Sequence, residues 1–286
     1  MKHFVLSALL LLAALPASLL QAAMPSSRAI DAFVEDYLAV REAKGFSQRL
    51  TMSEASTVQK MFVRQLQPKL GKPVGYKVGL ITREAQQRYG TDAPLHGVLL
   101  EKMLLPNDAV VRTNFAVRPV LEADLIAVVK DKGINKAQSV LEVAEHLKEV
   151  VAFIELPDTW VPTNPPPYAA LLAAGNVGAR LGVLGQRLPV GSTAEFVKSL
   201  GEMTARIIDQ DGAELGRGQA KVILDHPLNA VLWLVEELRR SGNQLKAGEL
   251  ISLGSIKAIP VPAGRSVTVR YEGLPGGPML VSVQFQ

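Results

Sequence analysis

Cysteine is absent from the 286 residues, which excludes disulfides, thiolate nucleophiles and cysteine-based zinc sites. Aromatic residues make up only 5% of the chain, and no basic run is interleaved with them. The formal charge is a mild +4, with Lys and Arg scattered among acids, so nucleic acid is not an expected partner. No phosphate-cradling loop occurs, Gly178, Gly182 and Gly185 do not space as a dinucleotide fingerprint, and no Gly-x-Ser-x-Gly elbow marks a serine hydrolase. Beyond the first 23 residues no long apolar run occurs either. Hydrophobic content of 48% nevertheless excludes disorder and supplies a substantial core.

What is present begins with a leader pattern. Met1-Lys-His precedes an apolar run from Phe4 to Leu15, Pro16 interrupts it, and Leu19-Leu-Gln-Ala-Ala23 ends in small residues. That layout predicts a secretory signal peptide over 1–23, export to the periplasm, and a mature protein without a membrane anchor. Residues 24–70 read as a helical segment. Ala29–Val40 has apolar residues at helical spacing with Gly45 as its stop, and Ser53–Val63 is amphipathic behind Thr51 or Ser53.

From Gly71 to the C-terminus the pattern is strand-rich. Val74–Ile81, His96–Leu100, Ala109–Arg112, Val150–Leu156, Leu250–Leu253, Ser266–Tyr271 and Met279–Phe285 read as strands. A hairpin turns at Asp211-Gly212, and helices cover Ser139–Leu147 and His226–Arg240. Five prolines between Pro157 and Tyr168 make that stretch a loop, which can cover a site beside it. Strands do not alternate with helices, so the fold class is α+β.

The chemistry concentrates in Arg118-Pro-Val-Leu-Glu-Ala-Asp-Leu-Ile-Ala-Val-Val129. Period-two alternation puts Glu122 and Asp124 on one face of a strand that is apolar on both faces. Two neighbouring carboxylates in such a place repel each other and lose hydration, so they call for a cation, a proton or donor groups. A divalent ion such as Mg²⁺ or Mn²⁺ meets that need; the alternative is a solvated strand end where the pair is merely polar. His96 and His226 carry no spacing that marks either as catalytic, and satisfied structural histidines are the default.

Several motifs together resemble the 2-keto-4-pentenoate hydratase branch of the fumarylacetoacetate hydrolase superfamily. They are Gly75-Tyr-Lys-Val-Gly-Leu80, His96-Gly-Val-Leu-Leu100, Leu121-Glu-Ala-Asp124, Phe153-Ile-Glu155 with Asp158, Asp225–Trp233 and Leu245–Ser255, in that order. The resemblance covers 71–286 and implies a mixed β-roll with a small N-terminal helical layer. It implies one divalent metal, Mg²⁺ or Mn²⁺, on Glu122, Asp124 and Glu155, with Lys77 acting beside it. Ser255, Asp158 and Asn176 are the implied substrate contacts, the substrate is a small 2-oxo or 2-hydroxydienoic acid, and a homo-oligomer is expected.

The implied reaction is hydration of a 2-hydroxydienoate to a 4-hydroxy-2-oxo acid. Decarboxylation of a 2-oxo-enedioate and hydrolysis of a carbon–carbon bond are the enzymatic alternatives, and a non-catalytic exported binder of oxo acids is the alternative of another class. The chain departs from the branch at three places. Asp124 replaces a glutamate and is one methylene shorter, Asp158-Thr-Trp160 replaces Asp-Ser-Arg, and Gly175-Asn-Val-Gly178 replaces Asp-Asn-Ala-Ser.

Overall fold

A computed structural model describes residues 24–286. The expected signal peptide over 1–23 lies outside the described residues. Among the described residues no helix is long and apolar enough to cross a membrane.

Two helices open the described residues, α1 (Ser27–Leu38) and α2 (Met52–Leu70). Ser26 caps α1 by accepting from the Ala29 amide, and Thr51 with Glu54 forms a reciprocal capping box on α2. The first helix stops short of Gly45. The Val40 amide donates to the Tyr37 carbonyl and that of Arg41 to Asp36, with Val40 at φ 54 where a glycine usually stands. Those paired bonds satisfy the end carbonyls, so the helix ends without a glycine.

The strands follow as β1 (Pro73–Gly79), β2 (Leu95–Leu100), β3 (Leu104–Pro106), β4 (Ala109–Val111), β5 (Val120–Val129), β6 (Leu147–Leu156) and β7 (Leu181–Pro189). They continue as β8 (Thr204–Asp209), β9 (Glu214–Gln219), β10 (Leu250–Ser252), β11 (Lys257–Pro260), β12 (Ser266–Glu272) and β13 (Met279–Phe285). The remaining helices are α3 (Arg83–Tyr89), α4 (Val140–Glu145), α5 (Ala169–Ala174), α6 (Ala194–Glu202) and α7 (Pro227–Arg240).

One mixed sheet runs β2-β1-β10-β5-β6-β7-β3, and a second runs β4-β13-β12-β8-β9. This is the α+β architecture the strand pattern predicts, with a curled mixed sheet and a helical N-terminal layer. Strand β5 lies near the centre, and both of its faces are buried. Leu121, Ala123, Leu125, Ala127 and Val129 enter the main core between the sheets, while Ile126 and Val128 pack with Leu99, Val151 and Phe153. Helix α7 buries Leu228, Val231, Leu234, Val235 and Leu238, an i, i+3, i+4 stripe, against that main core.

The strand β5 is paired by different partners along its length. Strand β10 covers Ile126–Val128, and β11 covers Val120–Ala123. Between them residues 253–256 leave the ladder opposite Asp124. The Leu253 amide still donates to the Leu125 carbonyl, and that of Ile256 to the Ala123 carbonyl. The break therefore sits where the acidic pair stands.

The N-terminal helices dock through an aromatic nest. Trp160 is 1% exposed, 4.4 Å from Phe33 by ring centroids and stacked on Phe62 at 5.6 Å. Tyr37 donates to the Ala179 carbonyl at 2.9 Å, and the Ala43 amide donates to the Trp160 carbonyl. The proline-rich loop is thus fastened at Trp160 between the helical layer and the sheet.

Candidate active site

Four adjacent strands bring the acidic and basic groups together, with Glu122 four residues along β5 from the position level with Lys77. Lys77 on β1 is in register with Ser252 on β10, Ser252 with Ile126 on β5, and Glu122 on β5 with Glu155 on β6. Lys77 Nζ lies 2.5 Å from Glu155 Oε1, and both side chains are almost fully buried. The distance is that of an ion pair, yet Oε1 receives no aligned hydrogen bond.

The charges shift one another. Burial alone pulls the Lys77 ammonium pKa down, but Glu155, Glu122 and Asp124 outweigh it and raise the pKa. Glu122 is raised above the ordinary carboxylate range by loss of solvent, then by Glu155, with Lys77 partly offsetting this. Asp124 is raised by burial and then by Glu155, against the lowering effect of the Ser252 hydrogen bond. Three carboxylates face one ammonium, so the cluster is short of positive charge.

A cavity of about 480 Å³ opens over these groups. Lys77, Glu122, Glu155, Asp158 and Ser255 all line it, so five of the seven residues singled out in the sequence converge on one space. Leu80, Ile81, Tyr89, Val120 and Val177 supply apolar wall, and Thr82 and Lys257 add polar groups. Its size suits a small organic acid.

Three of the singled-out residues spend their polar atoms on the frame. Asp158 accepts from the amides of Val117 (3.0 Å) and Arg118 (2.9 Å), and Arg180 lies 3.7 Å away, so it shapes the cavity wall. Asn176 bridges the Val98 backbone, accepting from its amide at 2.7 Å and donating to its carbonyl at 2.9 Å. It stands behind the lining residues Val177 and Gly178. Asp124 is fully buried, and its oxygens accept from the Leu125 amide at 2.6 Å, the Gly254 amide at 2.9 Å and the Ser252 hydroxyl.

Among the described residues, no group of three or more acidic, histidine or cysteine side chains comes together closely enough to hold a metal ion by itself. The cavity still fits one by charge and by donor type. Glu122 and Glu155 face it, the cluster carries three carboxylates beside the Lys77 ammonium, and a Mg²⁺-like ion needs only one or two carboxylates with water or substrate oxygens.

Sequence reasoning missed α3, whose Tyr89 and Arg88 border the cavity, because Arg83-Glu-Ala-Gln-Gln-Arg-Tyr89 carries too few apolar residues to show a periodicity. Trp160, in the Asp158-Thr-Trp160 stretch that departs from the branch, does not line the cavity. Trp160 turns instead into the aromatic nest with the N-terminal helices.

The fold has counterparts among known proteins. A 4-oxalocrotonate decarboxylase of Pseudomonas putida is 25% identical over 226 residues, covering 79% of this chain and 83% of that protein. The 2-keto-4-pentenoate hydratase 1 of Dechloromonas aromatica is 26% identical over 260 residues, covering 90% and 92%. The solved 4-oxalocrotonate decarboxylase from Pseudomonas putida G7, complexed with magnesium and adipate, superposes with a TM-score of 0.78 at 23% identity over 91% of this chain and 96% of that one. The chain resembles the 2-keto-4-pentenoate hydratase branch of the fumarylacetoacetate hydrolase superfamily. No protein-family profile matches it. The likeness to the Dechloromonas aromatica hydratase extends over 90% of this chain.

Proposed function

We propose that the protein is a hydro-lyase that hydrates a small 2-hydroxy-2,4-dienoate to a 4-hydroxy-2-oxo acid, with a divalent cation held by Glu122 and Glu155. The observation that carries this reading is the convergence of Lys77, Glu122, Glu155 and Ser255 on one cavity of substrate size. The cation would supply Lewis-acid stabilisation of negative charge at the C2 oxygen of the acid.

The chain's own groups supply the rest. Lys77, an ammonium buried 2.5 Å from Glu155 Oε1, is placed to give a proton to C5 of the dienol as the C2 hydroxyl gives up its own proton to solvent, leaving an enone conjugated with the 2-oxo group. Water then adds across the C3–C4 bond, hydroxyl to C4 and proton to C3. Ser255 offers a hydroxyl to the substrate carboxylate, and the apolar wall of Leu80, Ile81 and Val177 keeps bulk water from the carbon chain.

The test is turnover. Protein starting at Met24, loaded with Mg²⁺ or Mn²⁺, should remove the absorbance of the conjugated dienoate, and Lys77→Met should lower the rate by about 10²- to 10⁴-fold. Absence of turnover in the wild-type protein with both ions would leave the non-catalytic binder.

A second reading is favoured by Lys257 and by Arg88, which pairs with Glu84 at 3.2 Å, at the same cavity. Two cations there suit a substrate with a second carboxylate, as in decarboxylation of a 2-oxo-enedioate. In that reaction the bond to the leaving carboxylate breaks, its electrons enter the enolate, and the freed carbon takes a proton. Faster release of CO₂ from a dicarboxylic substrate than hydration of its monocarboxylic counterpart would favour it. Export and self-association are part of the proposal: the periplasmic form should begin near Met24 by mass, and light scattering should give a multiple of the chain mass.

A further inference from the structure

Asp124 stands where the ladder of β5 is interrupted. Its neighbours pair with β10 on one side and β11 on the other, and the chain between those strands bulges away opposite it. The carboxylate fills the gap. It accepts from the Gly254 amide and the Ser252 hydroxyl, so both ends of the turn that precedes Ser255 are fastened to one side chain. Gly254 has a φ of +112°, and a Cβ there would meet Ile81 Cγ2 at 2.8 Å, so the turn has little freedom to settle elsewhere. The Tyr271 hydroxyl sits between the Asp124 carbonyl at 2.5 Å and the Phe153 carbonyl at 2.7 Å, with one proton shared between them. Ser255 reaches the cavity wall and Asp124 does not.

We propose that Asp124 is a positioning residue that acts through Ser255: its carboxylate holds the 252–255 turn and so sets where the Ser255 hydroxyl meets the substrate. It is not a ligand of the cation, which falls to Glu122 and Glu155. The inference rests on the proposed function for what the cavity binds, but not for what holds the turn. The shorter side chain is what makes this possible, since it keeps the carboxylate inside the sheet within reach of a backbone amide.

The test has a metal arm and a metal-free arm. Calorimetric titration with Mn²⁺ should give Asp124→Asn an affinity within about threefold of wild type, because the cation needs only the other two carboxylates. Glu122→Gln and Glu155→Gln should each weaken it by about tenfold or more. Without metal, amide exchange over 250–258 should run about tenfold faster in Asp124→Ala and Ser252→Ala and stay unchanged in Glu122→Gln. With turnover, Ser252→Ala should raise KM more than it lowers kcat.

Equal loss of Mn²⁺ binding in Asp124→Asn and Glu155→Gln would overturn the proposal, as would unchanged exchange in both turn variants. Wild-type protein that binds no Mn²⁺ would sink the metal reading of the cavity, while the exchange arm would still decide the role of Asp124.

Discussion

Lys77 is buried with its charge beside three carboxylates, and what it contributes depends on what else occupies the cavity. Replacing it with methionine keeps the bulk and removes the ammonium, leaving Glu155 without its partner. Breaking a buried ion pair from one side costs about 3–5 kcal/mol, reduced here to the extent that Glu122 and Asp124 take up protons. Urea unfolding of metal-free Lys77→Met should therefore show a clear loss of stability. Addition of Mn²⁺ should recover more stability in the variant than in the wild type, since the ion meets a larger charge deficit. Equal recovery in both would mean that Lys77 and the cation do not share the same carboxylates. The acidic pair and the lysine were legible in the sequence because period two and buried apolar neighbours dictate where they point. What Asp124 does with its oxygens was not, because its partners Ser252 and Gly254 come from a strand end and the turn after it, more than a hundred residues away.

At the scale of elements, helix α7 begins at His226, whose Nδ1 accepts from the Leu228 amide while Nε2 donates to the Val197 carbonyl at 2.9 Å. Those bonds require the neutral ring. Burial lowers its pKa below the usual 6.5, with the Val197 bond working in the opposite direction. The folded state thus binds its proton at lower pH than the unfolded chain does. Stability is full above about pH 6.5 and falls as pH drops through the window between the unfolded and the folded values. His226→Asn keeps a capping side chain and should flatten that slope between pH 7.5 and 5; an unchanged slope would assign it to other groups. Elements of this kind were largely readable: α7, β8 with β9, and β5 follow from caps, turn residues and apolar spacing. The short α5 and β11 were not. All six residues of α5 are alanine or leucine buried on every side, and β11 pairs only four positions, so neither displays a period.

For the whole molecule, the helical layer and the sheet meet at Trp160. Phe62 stacks on it and also touches Phe33 and Tyr37, so Phe62→Ala should cost about 3–5 kcal/mol by opening a cavity in an apolar nest. The same loop that carries Trp160 supplies Pro157, Asp158 and Thr159 to the cavity, so the loss should also raise KM. A stability loss under about 1 kcal/mol would mean the layer is held mainly elsewhere. The packing of these helices on the main body could be expected from their apolar stripes, but the partner could not, since Trp160 reads as part of a cavity motif until the fold turns it away.

The chain has only two tryptophans, and they sit in different worlds. Trp160 is sealed among aromatic rings at the junction, while Trp233 lies part-exposed on α7, 6.4 Å from the His96 ring. Emission from the first should be blue-shifted and shielded from quenchers, and emission from the second red-shifted and open to them. The protein therefore carries a built-in optical gauge: a red shift confined to the shielded component would report the helical layer lifting from the sheet before the rest unfolds.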